Sequence, residues 1–224
     1  MTQGKWRQPE QADDPWPPAR LGIEEAATSS EPAVASLGYD RFEGEQVDRL
    51  LADIAERLQR DGLRIAGLIQ HSEPRQDRRR CDMTVRDLTS GRLIRISQDL
   101  GRDSHGCRLD TRALEDAAGL VENAVRAGAD LLILNRFGKR EAEGRGLSGA
   151  LALAVDHDLP VLVGLNRFNA ASWDAFAGDA ALSLPLDGDI VLGWCRRMLR
   201  QTGGITNRPC RPAAAPPQPH PPAC

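Results

Sequence analysis

The run Leu131-Leu-Ile-Leu134, free of polar residues and stopped by Asn135, restricts this chain more than any other stretch. Both faces of that segment are apolar, and a strand buried on both faces belongs to a parallel sheet covered by helices. Pro160 to Leu165 has the same character. In open parallel sheets, ligands bind just beyond the carboxyl ends of the strands. Asn135, Arg136, Gly138, Lys139 and Arg140, followed by Gly144, Arg145 and Gly146, therefore stand where a ligand is expected.

The other elements fall around these two strands. Ala33 to Tyr39 reads as the first strand. Val47, Leu50, Leu51, Ile54 and Leu58 then recur at helical spacing, and Asp61-Gly62 ends that helix. Leu63 to Gln70 is the second strand, and the tight strand–helix–strand unit predicts that the first two strands are parallel neighbours. Cys81 to Leu88 and Leu93 to Ser97 alternate apolar and polar residues about the turn Thr89-Ser90-Gly91, the pattern of an antiparallel hairpin at a sheet edge. Asp110 is a good N-cap for a helix over 111–127. Further helices are expected at 147–157, 172–176 and 187–200, with a short apolar segment at 180–184.

Length fits one such domain and little more, since the chain has 224 residues. Pro, Gln, Glu and Asp dominate residues 1–32, and Pro and Ala dominate the end. These stretches read as disordered arms, 1–32 and 201–224, flanking a single α/β domain at 33–200. Aromatic residues are only 4% of the chain, so the core must be mostly aliphatic. The formal net charge of −3 argues against a nucleic-acid binder, and no apolar stretch is long enough for a membrane helix. The N-terminus has no secretory pattern, which points to the cytoplasm and against a disulfide framework for the five cysteines.

A strand running through a glycine-bearing turn into a helix invites comparison with a phosphate loop. That loop, G-x-x-x-x-G-K-[S/T], needs backbone N–H groups around the phosphates, a Lys for their charge and a hydroxyl for magnesium. Here Gly38 and Gly44 are one residue further apart, Glu45 stands at the Lys position and Gln46 at the hydroxyl position. The acid expected at the end of the neighbouring strand is Asn135, which carries no charge for magnesium. Hydrolysis by the usual phosphate-loop route, with its magnesium, is therefore not expected.

Six segments carry a resemblance: Gly67-Leu-Ile-Gln70, Cys81-Asp-Met83, Asp87-Leu-Thr-Ser-Gly91, Gln98-Asp-Leu-Gly101, Gly106-Cys-Arg-Leu-Asp110 and Leu134-Asn-Arg-Phe-Gly-Lys-Arg-Glu-Ala142. Together they resemble an uncharacterised bacterial domain of unknown function, over about residues 34–200. That family is similar in layout to small phosphate-loop nucleoside-triphosphatases with a strand hairpin inserted after the second strand. The resemblance implies a three-layer, mostly parallel sheet with an antiparallel edge hairpin. Its members are sometimes labelled nucleotide-binding or molybdenum-transport-associated, but the triphosphatases' working Lys and acid are both replaced here, so no activity carries over.

The ligand-site candidates are Asn135, Arg136, Gly138, Lys139, Arg140 and Arg145, with Arg167 after the neighbouring strand and Gly44 in the altered phosphate loop. Arginine binds phosphate bidentately, and mobile glycine backbone beside it suits an oxyanion. Glu141 and Glu143 partly neutralise the cluster, and a self-paired, solvated loop is the competing reading. Asn135-Arg136-Phe137 and Asn166-Arg167-Phe168 repeat one pattern after two strands, offering Asn135 and Asn166 as polar donors. Cys81, His105 and Cys107 are ligand types for zinc, but their spacing matches no zinc module. Asp40, Glu45 and Asp110 are weaker acid/base candidates, Asp110 being more simply a cap. Arg78-Arg79-Arg80 lacks interleaved aromatics and reads as a solvated loop.

The expected function is that of a binding protein for a small anion, either a nucleotide or an oxyanion such as molybdate. A divergent nucleotide hydrolase or phosphotransferase is the second expectation. The third is a structural partner in a metal-handling or transport assembly.

Overall fold

A computed structural model of the chain describes residues 31–40, 43–71, 83–98, 109–178 and 181–203. In chain order the elements are β1 (Val34–Tyr39), α1 (Gly44–Arg60), β2 (Ile65–His71), β3 (Thr84–Asp87), β4 (Leu93–Arg95), α2 (Thr111–Arg126) and β5 (Leu131–Phe137). There follow α3 (Lys139–Ala142), α4 (Ser148–Asp156), β6 (Val161–Asn166), a 3-10 turn (Arg167–Asn169), α5 (Ala170–Ala177), β7 (Ala181–Leu184) and α6 (Gly188–Gln201). The strands form one sheet in the order β4-β3-β2-β5-β6-β1-β7. β2, β5, β6, β1 and β7 run parallel, while β3 and β4 form the antiparallel edge hairpin.

The two apolar runs take the centre of this sheet, as double-sided burial demands. Leu131 and Ile133 of β5 pack into the core formed with α1 and α6, which also holds Leu51, Ile54, Trp194 and Met198. Leu132, Leu134 and Phe137 point the other way, into the core formed with α2, α4 and α5 around Val121, Leu151 and Trp173. α1 buries Val47, Leu51, Ile54, Ala55 and Leu58, the face its periodicity predicts. Truncating one such residue, Leu51→Ala for instance, costs about 2–5 kcal/mol through lost burial and the cavity left behind. At α2, the Asp110 carboxylate accepts from the N–H groups of Arg112 and Ala113, so this residue is the helix cap.

The structure corrects two expectations. β1 and β2 are not neighbours, because β6 and β5 lie between them. α1 carries the chain across two strand positions that the later, more continuously apolar strands fill, and nothing local in a strand–helix–strand segment records that gap. The second correction concerns Asn135, which does not begin a loop. β5 continues to Phe137, with its register against β6 shifting between Leu134 and Phe137. Gly164 accommodates this irregularity: a Cβ there would lie 2.1 Å from the Asn135 carbonyl oxygen.

The expected arms fall almost wholly outside the described residues. At their borders the Glu31 carboxylate accepts two bonds from Arg197, both at 2.9 Å, and α6 runs to Gln201. Cys81, His105 and Cys107, the Arg78–Arg80 cluster, Cys210 and Cys224 also lie outside the described residues.

Candidate functional site

Two side chains at the carboxyl end of β5 converge on one residue of α1, Asp48, with Tyr39 at the end of β1 beside it. In a regular strand, consecutive side chains point to opposite faces. The register shift in β5 relaxes that rule, so both Asn135 and Arg136 reach toward α1 while Phe137 packs on the far side against Trp173, with ring centroids 5.1 Å apart. Asn135 Nδ2 donates to Asp48 Oδ1 at 2.8 Å, and Arg136 Nη2 reaches Asp48 Oδ2 at 3.5 Å. Asn135 is buried. The Asp48 side chain is 12% exposed and that of Arg136 is 45% exposed, so the guanidinium forms the solvent-facing lid of the cluster.

Tyr39 and Asn166, register partners at the ends of β1 and β6, complete it through a side-chain hydrogen bond. Burial pushes the Asp48 carboxyl above its ordinary value, against the opposing pull of the Asn135 hydrogen bond and the Arg136 charge. Burial likewise raises the Tyr39 phenol, opposed chiefly by Arg136. A carboxylate kept at an unfavourable site beside a cation at a strand edge is the kind of perturbed group that marks functional positions.

Of the sequence candidates, the structure brings Asn135, Arg136 and Gly44 together. A Cβ at Gly44 would sit 3.6 Å from Arg136 Nη2, ordinary contact, so this position adjoins the guanidinium without requiring glycine. Arg167 opens the turn after β6, where its Nη1 pairs with Asp40 Oδ2 at 3.3 Å. The following Phe168 is 68% exposed on a turn fixed by the Asn166 Oδ1 bond from its N–H.

Lys139 and Arg140 lie on α3, which packs with α4, α5 and β5, and Arg145 follows it. Arg140 Nη2 is tied to Glu115 Oε1 at 2.8 Å, and the same oxygen accepts from the Gly146 N–H at 3.0 Å. Glu141, buried, accepts from the N–H groups of Gly138 and Leu147 at 3.0 and 3.2 Å. Glu141 thus staples backbone, and carboxylates occupy donors that an anion would need. Lys139, 87% exposed, pairs with Glu143 at 3.8 Å, and Arg145 is exposed.

Sequence reasoning passed over Asp48 and Tyr39. The signal for Asp48 was present: it lies three residues before Leu51 and seven before Ala55, on a stripe otherwise buried. Tyr39 gave no comparable signal. As for a divalent metal, Asp48 is committed to Asn135 and Arg136, and among the described residues no group of three or more His, Cys, Asp or Glu side chains is placed to hold one. The donor set does not fit magnesium. Among the described residues no helix is long and apolar enough to cross a membrane.

Comparison with known proteins agrees with the layout. In the curated molybdenum import ATP-binding protein ModC 2 of Bradyrhizobium diazoefficiens, 152 residues are 36% identical to this chain. The match covers 68% of the chain but only 17% of that relative's length. Among solved structures, THEP1 from the hyperthermophile Aquifex aeolicus matches with a TM-score of 0.51 at 16% identity, covering 74% of this chain and 98% of that one. At this identity the likeness is one of fold, the phosphate-loop-like three-layer sheet. A family model described as "Protein of unknown function (DUF2478)" matches residues 35–194, and the chain belongs to that family.

Proposed function

We propose that this member of the DUF2478 family binds the phosphate end of a nucleotide at the carboxyl edge of its sheet, without hydrolysing it. The observation that carries the reading is Arg136: a half-exposed guanidinium at the strand edge, held by a 3.5 Å contact to a carboxylate whose charged form is disfavoured. A phosphate offers that guanidinium a bidentate, charge-assisted pairing stronger than the one it has, worth about 1.5–3 kcal/mol. Asn135, its neighbour on β5, and Asn166, at the end of the adjacent β6, add amide groups at the same edge of the sheet. Against turnover stand the Glu45 and Gln46 replacements in the phosphate loop and the neutral Asn135. The likeness to a protein named for ATP binding supports a nucleotide, though the chain spans only 17% of that relative.

Thermal shifts against ATP, GTP, phosphate, sulfate and molybdate test the reading. Ligand at about a hundred times its Kd stabilises by about 2.7 kcal/mol, a melting shift on the order of 5–10 °C. A shift with ATP or GTP, and no phosphate release above the buffer rate, supports it. Release of phosphate by wild type that is lost in Arg136→Ala would instead establish the hydrolase. The word molybdenum in the relative's name motivates a second reading, an oxyanion binder. Stabilisation by molybdate alone favours that one. If no ligand shifts the transition, both binding readings fail and the role of a structural partner to another protein is left.

A further inference from the structure

The strand-edge cluster is not the only feature built on Asp48. On the side of Asp48 away from β1, a cleft of about 450 Å³ opens between α1 and the end of β2. Asp48, Ala52 and Glu56 line one wall as a stripe at four-residue spacing along the helix. Ile69, Gln70 and His71, the last three residues of β2, line the other, with Arg86 of β3 beside them. The volume falls within the range of small-molecule sites.

Its charges cancel. Glu56 Oε1 receives Arg86 Nη2 at 3.1 Å, Glu45 Oε2 at the rim receives Arg49 Nη2 at 3.5 Å, and Asp48 has Arg136. Such a cleft has little to gain from a second charged group. It offers instead an apolar lining of the partly exposed Ala52 and the buried Ile69, with ion-paired side chains around it, which suits a flat neutral ring with polar edges. Asp48 lines the cleft and touches the Arg136 guanidinium, so one ligand can place an anionic end on Arg136 and a ring in the cleft.

We infer that the cleft between α1 and β2 is the nucleobase pocket of the ligand, with the partly exposed Ala52 and the buried Ile69 as its apolar lining. This rests on the nucleotide reading above and deepens it, because it separates a nucleotide from a bare oxyanion. Burying a base against a protein surface gains enough for about a tenfold advantage over the phosphate chain alone.

The test is calorimetric titration of the full chain with ATP, GTP and tripolyphosphate. Wild type binds at least one nucleotide about tenfold more tightly than tripolyphosphate. Ala52→Trp, which fills the cleft, removes that advantage and leaves tripolyphosphate affinity within about twofold. Because Ala52→Trp perturbs helix packing, a second measurement needs no substitution: the Ile69 methyl resonance moves on adding the nucleotide and stays in place with tripolyphosphate. Nucleotide binding no tighter than that of tripolyphosphate overturns the pocket while leaving the anion site intact. So does an unmoved Ile69 methyl with the affinity loss appearing in Phe168→Ala, since Phe168 is the exposed aromatic on the opposite side of the cluster. If wild type binds neither probe, the anion site fails and the pocket with it.

Discussion

Gly164→Ala probes the joint between fold and site. Gly164 lies in β6 opposite the irregular part of β5, and an added Cβ would fall 2.1 Å from the Asn135 carbonyl oxygen, 3.0 Å from its carbon and 3.2 Å from Val47 Cγ1. Carbon and oxygen approach without penalty only to about 3.3 Å, so the two strands must separate by about 1.2 Å. Neither can yield cheaply: β5 and β6 are central, covered on both faces, and the clashing atom is backbone. Overpacking of this kind costs about 3 kcal/mol, the upper end for an inserted methyl. For a domain of this size that lowers the melting temperature by about 6–12 °C, readable by circular dichroism. Asn135 moves with the strand, so its 2.8 Å bond to Asp48 lengthens and the side-chain amide resonance shifts. A melting temperature within about 2 °C of wild type, with an unchanged Asn135 amide, would refute the claim that Gly164 is what lets β5 present Asn135 and Arg136 together.

Asp48→Asn has a sign set by linkage. Since burial raises the native carboxyl above 3.8, the native state holds the proton more tightly than the unfolded chain. Stability from this group is therefore full below pH 3.8 and is lost as pH rises through the native value. Melting curves from acid to neutral pH should show the Asn variant at least as stable as wild type at neutral pH, with the difference closing in acid. Glu141→Ala removes the acceptor of two backbone N–H groups and should lower stability by about 1–3 kcal/mol in urea titrations. An unchanged midpoint would show that the loop is held by something other than this carboxylate. Burial pushes the Cys195 thiol up to about 12, so peptide-level mass spectrometry should find it unmodified by iodoacetamide in the native protein and modified in denaturant.

What the sequence disclosed, and what it hid, follows from the range of the interactions. β5, β6, the edge hairpin and the Asp110 cap depend on neighbours within a few residues, and each was legible. The sheet order depends on which strands sit side by side, and the separation of β1 from β2 has no local trace. The same divide runs through the site. Arg136 was visible as a cation at a strand end, but its partner Asp48 lies 88 positions away. Arg140, Gly146 and Glu115 show the converse: a loop that reads as cationic and open in sequence is closed by a carboxylate from α2, 25 residues from Arg140. Had Asp48 been read as a carboxylate on the buried stripe of α1, the cluster would have been anticipated in part. The strand irregularity that lets Asn135 and Arg136 face the same way left no mark except Gly164.

The central claim is that Arg136, and not the cations of the α3 loop, holds the anion. Titration calorimetry of ATP or GTP, whichever stabilises the protein, against wild type, Arg136→Ala and Lys139→Ala tests it most directly. Loss of a charge-assisted pairing predicts that Arg136→Ala weakens binding by about ten- to a hundredfold. Lys139→Ala, which removes an exposed side chain in a 3.8 Å surface pair, should stay within about twofold. The opposite ranking, with Lys139→Ala the damaging change and Arg136→Ala silent, contradicts the account and returns the site to the loop after β5.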